Sequence, residues 1–150
     1  MKYIKFLFIF ILNLALISCI KSSSVNSNRP VTELKYTSSG SIHPVAGQLK
    51  AYNMRDASMF AKWFANEVLV FNFGDPNPVI TSRKELKKRY AIMFSKAKEL
   101  HCEVVRRIVT GNFVIDEEIV KGIPGKGTVH ATAIYEVLNG KIVKVWFIKE

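Results

Sequence analysis

The chain has 150 residues, 49% of them apolar, and carries 22 Lys and Arg against 12 Asp and Glu, a formal net charge of +10. That length admits one modest core and no second domain of comparable size. Two cysteines are too few for a disulfide framework, and the positive balance suits nucleic acid, anionic headgroups or acidic ligands.

Lys2 and Lys5 form a positive n-region, and Phe6 to Ile17 an apolar core broken only by Asn13. This is too short to cross a bilayer comfortably as a permanent helix, so residues 1–18 read as a secretory signal peptide. It ends in Leu16-Ile17-Ser18-Cys19, which resembles the lipobox of bacterial lipoproteins. The resemblance implies a diacylglyceryl thioether on Cys19, usually joined by an N-acyl chain such as palmitate, enough for stable attachment. The expected address is therefore exported and lipid-anchored to a bacterial membrane through Cys19, facing the periplasm or the cell surface. With Cys19 lipidated, Cys102 has no intramolecular partner and is expected to pack as a small apolar side chain on a strand. A Cys19–Cys102 disulfide is the alternative, for which the polar segment after Cys19 gives little reason. The leader holds two of the 22 basic residues and none of the 12 acids, so the remainder carries 20 against 12, or +8. An exported, tethered protein rarely meets nucleic acid, so none is expected as a partner. A solubilising charge, or attraction to a phosphate-rich membrane surface, accounts for the balance.

Residues 19–42 are rich in Ser, Asn, Thr and Lys without sustained apolar period and read as a flexible spacer. Residues 43–150 are the expected folded domain. Pro44 to Asn53 reads as a first helix, with Val45, Leu49 and Tyr52 spaced i, i+4, i+7. Asp56 is a good N-cap for a second, Ala57 to Asn66, carrying Phe60, Trp63 and Phe64 on one side. Glu67 to Phe73 reads as a strand, stopped by Gly74-Asp75-Pro76-Asn77-Pro78, which cannot continue a ladder. Thr81 or Ser82 caps a third helix, Arg83 to Leu100, burying Leu86, Tyr90, Met93, Phe94 and Ala97 on one stripe. Its other surface gathers Arg83, Lys84, Lys87, Lys88, Arg89, Lys96 and Lys98, a solvated face or a contact for anionic lipid.

Two hairpins close the chain. His101 to Thr110 and Phe113 to Lys121 flank Gly111-Asn112; then, after the Lys121 to Gly127 loop, two β-rich runs between Gly127 and Lys149 flank Asn139-Gly140, a dipeptide suited to a type I′ turn. The expected fold is α+β, three N-terminal helices on one face of a curved antiparallel sheet.

This order, with the words Tyr52-Asn53-Met54-Arg55-Asp56, Phe64-Ala65-Asn66-Glu67, Val114-Ile115-Asp116 and Tyr135-Glu136-Val137-Leu138-Asn139-Gly140-Lys141-Ile142, resembles the nuclear transport factor 2-like superfamily over about Val45 to Ile148. The likeness is to its SnoaL-like and ketosteroid-isomerase-like bacterial members. It implies a cone-shaped, cystatin-like fold whose bent sheet wraps the long helix and leaves a cavity for a small apolar molecule. Tyr52, Trp63, Phe71, Phe73, Met93, Tyr135 and Trp146 are the expected lining, although plain core packing accounts for aromatics as readily.

Ketosteroid isomerases of this fold use an Asp base beside a Tyr and a protonated Asp. The resemblance implies the base near Asn72, which cannot abstract a proton, and the protonated acid near Ala133; Tyr52 falls about one helical turn from the place of the catalytic Tyr. Steroid isomerisation is therefore disfavoured. A two-residue turn at Gly111-Asn112 sets Arg107 opposite Asp116, Arg106 opposite Glu117 and Glu118 opposite Val105. Glu118, without a charged partner and on the face of Asp116, either meets solvent or has a raised pKa. His101 and His130 are the remaining candidates for proton transfer. His101, Cys102 and His130 match no metal spacing, so neither metal nor other cofactor is expected.

Three functions are compatible with this: a lipid-anchored, non-catalytic binding domain for a small apolar or amphipathic ligand; an isomerase- or polyketide-cyclase-like enzyme using Asp116, Glu118 or His130 with Tyr135 as donor; and a module that dimerises through its sheet. The second requires at least two of those groups to converge in one pocket.

Overall fold

The computed structural model describes residues 39–149, so the leader, Cys19 and most of the expected spacer lie outside the described residues. Eight elements follow in order: α1 (Ser39–Asn53), α2 (Ala57–Ala61), β1 (Phe64–Asn72), α3 (Arg83–Lys96), β2 (His101–Thr110), β3 (Phe113–Lys121), β4 (Val129–Leu138) and β5 (Lys141–Lys149). The strands form one sheet in the order β1-β5-β4-β3-β2, antiparallel except where β1 runs parallel to β5. This is the α+β arrangement the element order implies.

The first helix begins five residues before the expected Pro44. Proline favours a helix's first turn because it lacks the N–H, yet here a turn precedes it. That turn is held by tertiary contact: Ser41 is buried and its hydroxyl donates to the carbonyl of Gly111 in the β2–β3 turn. At the other end Asn53 bonds the backbone of Cys102 in both directions (2.9 and 2.8 Å), and the Arg55 guanidinium reaches the carbonyl of Leu100 (3.0 Å). Arg55 itself takes a positive φ of 57°. Asp56 then caps α2 as expected, accepting from the backbone N–H of Ser58 and Met59.

The second helix is shorter than expected, ending at Ala61 rather than Asn66. The helical spacing of Phe60, Trp63 and Phe64 yields to strand pairing, because Phe64 already lies in register with Ile142 of β5. Likewise α3 stops at Lys96, and Ala97 and Leu100 bury themselves from the turn that follows. Ser82 supplies its cap, accepting from the N–H of Glu85 (3.2 Å).

The inner face of the sheet alternates cleanly: Val114, Asp116, Glu118 and Val120 of β3 are all buried, as the period of two requires. Beside a register shift between Phe64 and Leu69 where β1 meets β5, two bulges interrupt the antiparallel ladders. One leaves Val105 unpaired, so that Glu118 faces Val104 instead; the other leaves Val143 unpaired, so that Tyr135 faces Val145 and Ala133 faces Phe147. Bulges bend a strand and sharpen its twist, and the two lie in β2 and β5, strands that pack against α1. The core between sheet and helices is built on Val45, Phe60, Phe64, Leu86, Phe94 and Ile142.

Candidate functional site

Between the helices and the curled sheet the core stays open as a cavity of about 210 Å³. The first helix contributes Gln48, Leu49 and Tyr52; α3 contributes Leu86, Tyr90 and Met93; Phe60 and Phe64 close one end. From the sheet come Cys102, Glu118, Val120, Ala131, Tyr135 and Phe147, with Ile123 of the β3–β4 loop. The last of these is carried past Gly122, whose φ of +77° and close approach to the Glu99 carbonyl admit no side chain.

One polar chain runs through this apolar wall. The Gln48 amide donates to the Tyr135 hydroxyl (3.2 Å), which donates to Glu118 Oε1 (2.9 Å). Glu118 is only 6% exposed. Burial pushes its carboxyl up to about 7; the Tyr135 hydrogen bond opposes that, the charge of Asp116 adds to it, and Cys102 and Arg107 oppose it again. The same burial, with Glu118 close by, holds the Tyr135 hydroxyl well above its ordinary value. Desolvation and nearby charge raise Tyr52, Tyr90 and Cys102 in the same direction. Around neutral pH Glu118 is thus the group in the cavity poised to gain or lose a proton.

Asp116 lies two residues along the same face but outside the cavity wall. It is 0% exposed and gripped by both arms of Arg107 (Nε–Oδ1 2.7 Å, Nη2–Oδ2 2.6 Å), the cross-strand partner expected from the turn. Arg106 and Glu117 meet at 3.7 Å on the exposed face. Asp116 also sits in register with Ala133, so the acid expected near Ala133 in an isomerase has a counterpart one strand over, fully committed to an ion pair.

Of the residues expected to line a pocket, Tyr52, Met93 and Tyr135 do so. Trp63 does not: its indole lies against Gly47 on α1 and meets His43 edge-on at 5.1 Å. Phe71 and Trp146 stack at 5.8 Å on the outer face of the sheet, because the Val143 bulge moves Trp146 off the face of Tyr135. Phe73, just past the end of β1, is 61% exposed. Among the candidate proton-transfer groups, Glu118 and Tyr135 converge, while His130 and His101 are exposed outside the cavity. Asn72 likewise lies outside the wall. Among the described residues no group of three His, Cys, Asp or Glu is placed to hold a metal.

Gln48 was not anticipated. Its signal was available: a polar side chain one helical turn before Tyr52, on the stripe of Val45, Leu49 and Tyr52.

The family model of the SnoaL-like domain matches residues 45–145, spanning the cavity wall from Gln48 to Val145. The chain belongs to the SnoaL-like family. Solved structures similar to it include a cystatin-fold protein from Novosphingobium aromaticivorans (TM-score 0.66, 18% identity, covering 72% of this chain and 97% of that one). An epoxide hydrolase from M. tuberculosis (0.62, 16%, 75% and 84%) and a putative polyketide cyclase from Sinorhizobium meliloti (0.60, 16%, 71% and 94%) share the fold as well. At these identities the likeness is one of fold. No curated protein matches the chain in sequence.

Proposed function

We propose that this SnoaL-like domain is a small-ligand-binding module, exported and carried at a bacterial membrane by lipid on Cys19. The observation that supports it is the cavity. Apolar walls enclose a single hydrogen-bonded polar end, the arrangement by which small-molecule sites combine affinity with orientation. At about 210 Å³ it is smaller than the roughly 300–1,000 Å³ common for drug-sized ligands, so the ligand is small, with one polar group set against Glu118. Native mass spectrometry of the chain after exposure to a bacterial lipid extract tests this. A retained species of defined mass is expected, and Ala131→Trp, which fills the cavity, should expel it. Retention by the filled variant, or none by the parent, would remove the basis for the proposal.

A second reading, an isomerase- or cyclase-type enzyme, is favoured by the 2.9 Å contact between Tyr135 and Glu118, which brings two proton-transfer groups within reach of one ligand. The neighbours named as an epoxide hydrolase and a polyketide cyclase lend it support. Glu118 then serves as acid and base, with Tyr135 as donor. A panel of epoxides, enones and polyketide-like substrates tests it: turnover should fall at least about 100-fold in Glu118→Gln, and turnover indifferent to that change would exclude the role.

A second copy of the chain is the proposed partner of the sheet's outer face, where Phe71, Trp146, Ile134 and Ile148 lie beside the Lys144–Glu136 ion pair (3.1 Å). A two-fold partner presents the same apolar and charged groups in return.

A further inference from the structure

The cavity contains an acid without a base. Of the described residues in its wall, Glu118 alone is a carboxyl, and no Lys, Arg or His joins it. Arg107, whose charge is felt at Glu118, is bound through both arms to Asp116 and stands outside the wall. Nothing within the cavity can therefore balance the charge of Glu118 once it ionises, and a buried carboxylate without a counter-ion is costly. The missing positive charge must come from a proton or from a ligand.

The remaining walls are unusually aromatic for so small a space. Tyr52, Phe60, Tyr90 and Phe147 join Tyr135 around the cavity. Tyr52 and Tyr90 stand nearly perpendicular at 6.2 Å, and Phe60 stacks on Tyr90 at 4.3 Å. Ring faces attract a cation within about 6 Å of their centroids. An anion would meet the opposite: repulsion from Glu118, with the Tyr135 hydroxyl already donating to that carboxylate.

We infer that the cavity receives a small organic cation, a substituted ammonium whose positive nitrogen lies against Glu118 and whose apolar substituents pack on the aromatic walls. The inference rests on the reading of the cavity as the ligand site, and names the class of ligand. Its size fits: the cavity holds roughly seven water volumes at ~30 Å³ each, room for one ring and a compact ammonium group.

The charge balance gives a signature in pH. The groups facing Glu118 are Asp116 beside it on β3, Arg107 and Cys102 on β2, Tyr135 on β4, Tyr52 on α1 and Tyr90 on α3. The three tyrosines and Cys102 are raised by burial and stay neutral, and Arg107, raised by its bond to Asp116, stays positive. The cation needs Glu118 ionised, so its binding displaces the Glu118 proton. Affinity rises about tenfold per pH unit up to about pH 7 and levels off above it.

Titration calorimetry on the full chain with phenyltrimethylammonium, whose own charge is independent of pH, is the direct test, with uncharged tert-butylbenzene as its isostere. The cation is expected to bind about 100-fold more weakly at pH 5 than at pH 8, releasing a proton on binding near pH 6, and Glu118→Gln should weaken it at least about tenfold at pH 8. The isostere should bind with no such dependence. Because the pH series uses the unaltered chain, the result does not depend on the variant folding. A cation that binds no better than its isostere at pH 8, or with no pH dependence, overturns the assignment of ligand class while leaving the cavity a ligand site. Failure of both probes to bind overturns the two together.

Discussion

At the scale of single residues, Glu118 and Asp116 show how one strand face gives two acids different fates. Asp116 has a bidentate guanidinium and Glu118 has a phenol, so the first is neutralised by charge and the second by a proton. Glu118 has a folded value of about 7 against an ordinary 4.5, so the folded state holds its proton more tightly than the unfolded chain does. Its stabilising contribution is therefore complete below about pH 4.5 and is lost as the pH rises through 7. Between those limits the parent should lose on the order of 3 kcal/mol relative to Glu118→Gln. Urea unfolding of both proteins at a series of pH values measures the difference, and parallel curves would contradict it. For Asp116 the charge partner is the vulnerable point. Arg107→Leu strands a fully buried carboxylate and should cost roughly 3–5 kcal/mol in unfolding free energy, whereas the double change of Arg107 and Asp116 to leucine should recover much of it. A double change as damaging as the single one would show that packing, and not the stranded charge, is responsible.

At the scale of elements, what holds the cavity open is a set of local signals and a few tertiary constraints that override them. Ser82→Ala removes the cap of the helix carrying Leu86, Tyr90 and Met93 and should cost about 1 kcal/mol. Gly122→Ala should cost more, roughly 2–5 kcal/mol, because a Cβ there lies 2.1 Å from the Glu99 carbonyl oxygen and φ is left-handed. Thermal unfolding of both variants gives the ranking, and an equal shift would mean the β3–β4 loop relaxes freely. The same distinction explains what could be read beforehand. Both strand boundaries of the first hairpin and the pairing of Arg107 with Asp116 follow from the Gly111-Asn112 turn and a period of two. The faces of β5 do not. Counting back from Asn139-Gly140 sets Trp146 beside Ala133, but Val143 is bulged, and one unpaired residue transfers the tryptophan to the outer face. Val143 is as β-branched as Ile142 and Val145 on the same strand, so composition carries no trace of the bulge. The shortened α2 has a similar origin: Phe64 fits a helical stripe with Phe60 and fits a strand beside Ile142, and only the sheet decides between them. Glu118 could be named as the acid without a partner, but its burial depended on β4 and α1 closing over it, contacts distant in sequence.

At the scale of the whole molecule, the sheet has two faces of different character. The inner one encloses the cavity; the outer one joins Phe71, Trp146 and Ile134 to the Lys144–Glu136 pair, and a second copy is its proposed partner. Sedimentation velocity over a range of concentration should show a reversible dimer, and Trp146→Glu should shift it to monomer without altering the cavity, since that side chain lies on the opposite face. A monomer at every concentration would sink the pairing. The proposed anchor bears on what the cavity can reach. Lipid on Cys19 would confine the domain near a bilayer, where apolar and amphipathic molecules are concentrated, so that a small cavity of modest affinity could still fill. The chemistry at Cys19 is testable apart from the fold: a bacterial host fed an alkyne analogue of palmitate should label the parent chain, and Cys19→Ser should abolish both the label and recovery in the membrane fraction. Cys102→Ser should change neither, because that thiol is buried beside Glu118. Label retained by Cys19→Ser would disprove the anchor and leave the cavity to be explained without a membrane at its side.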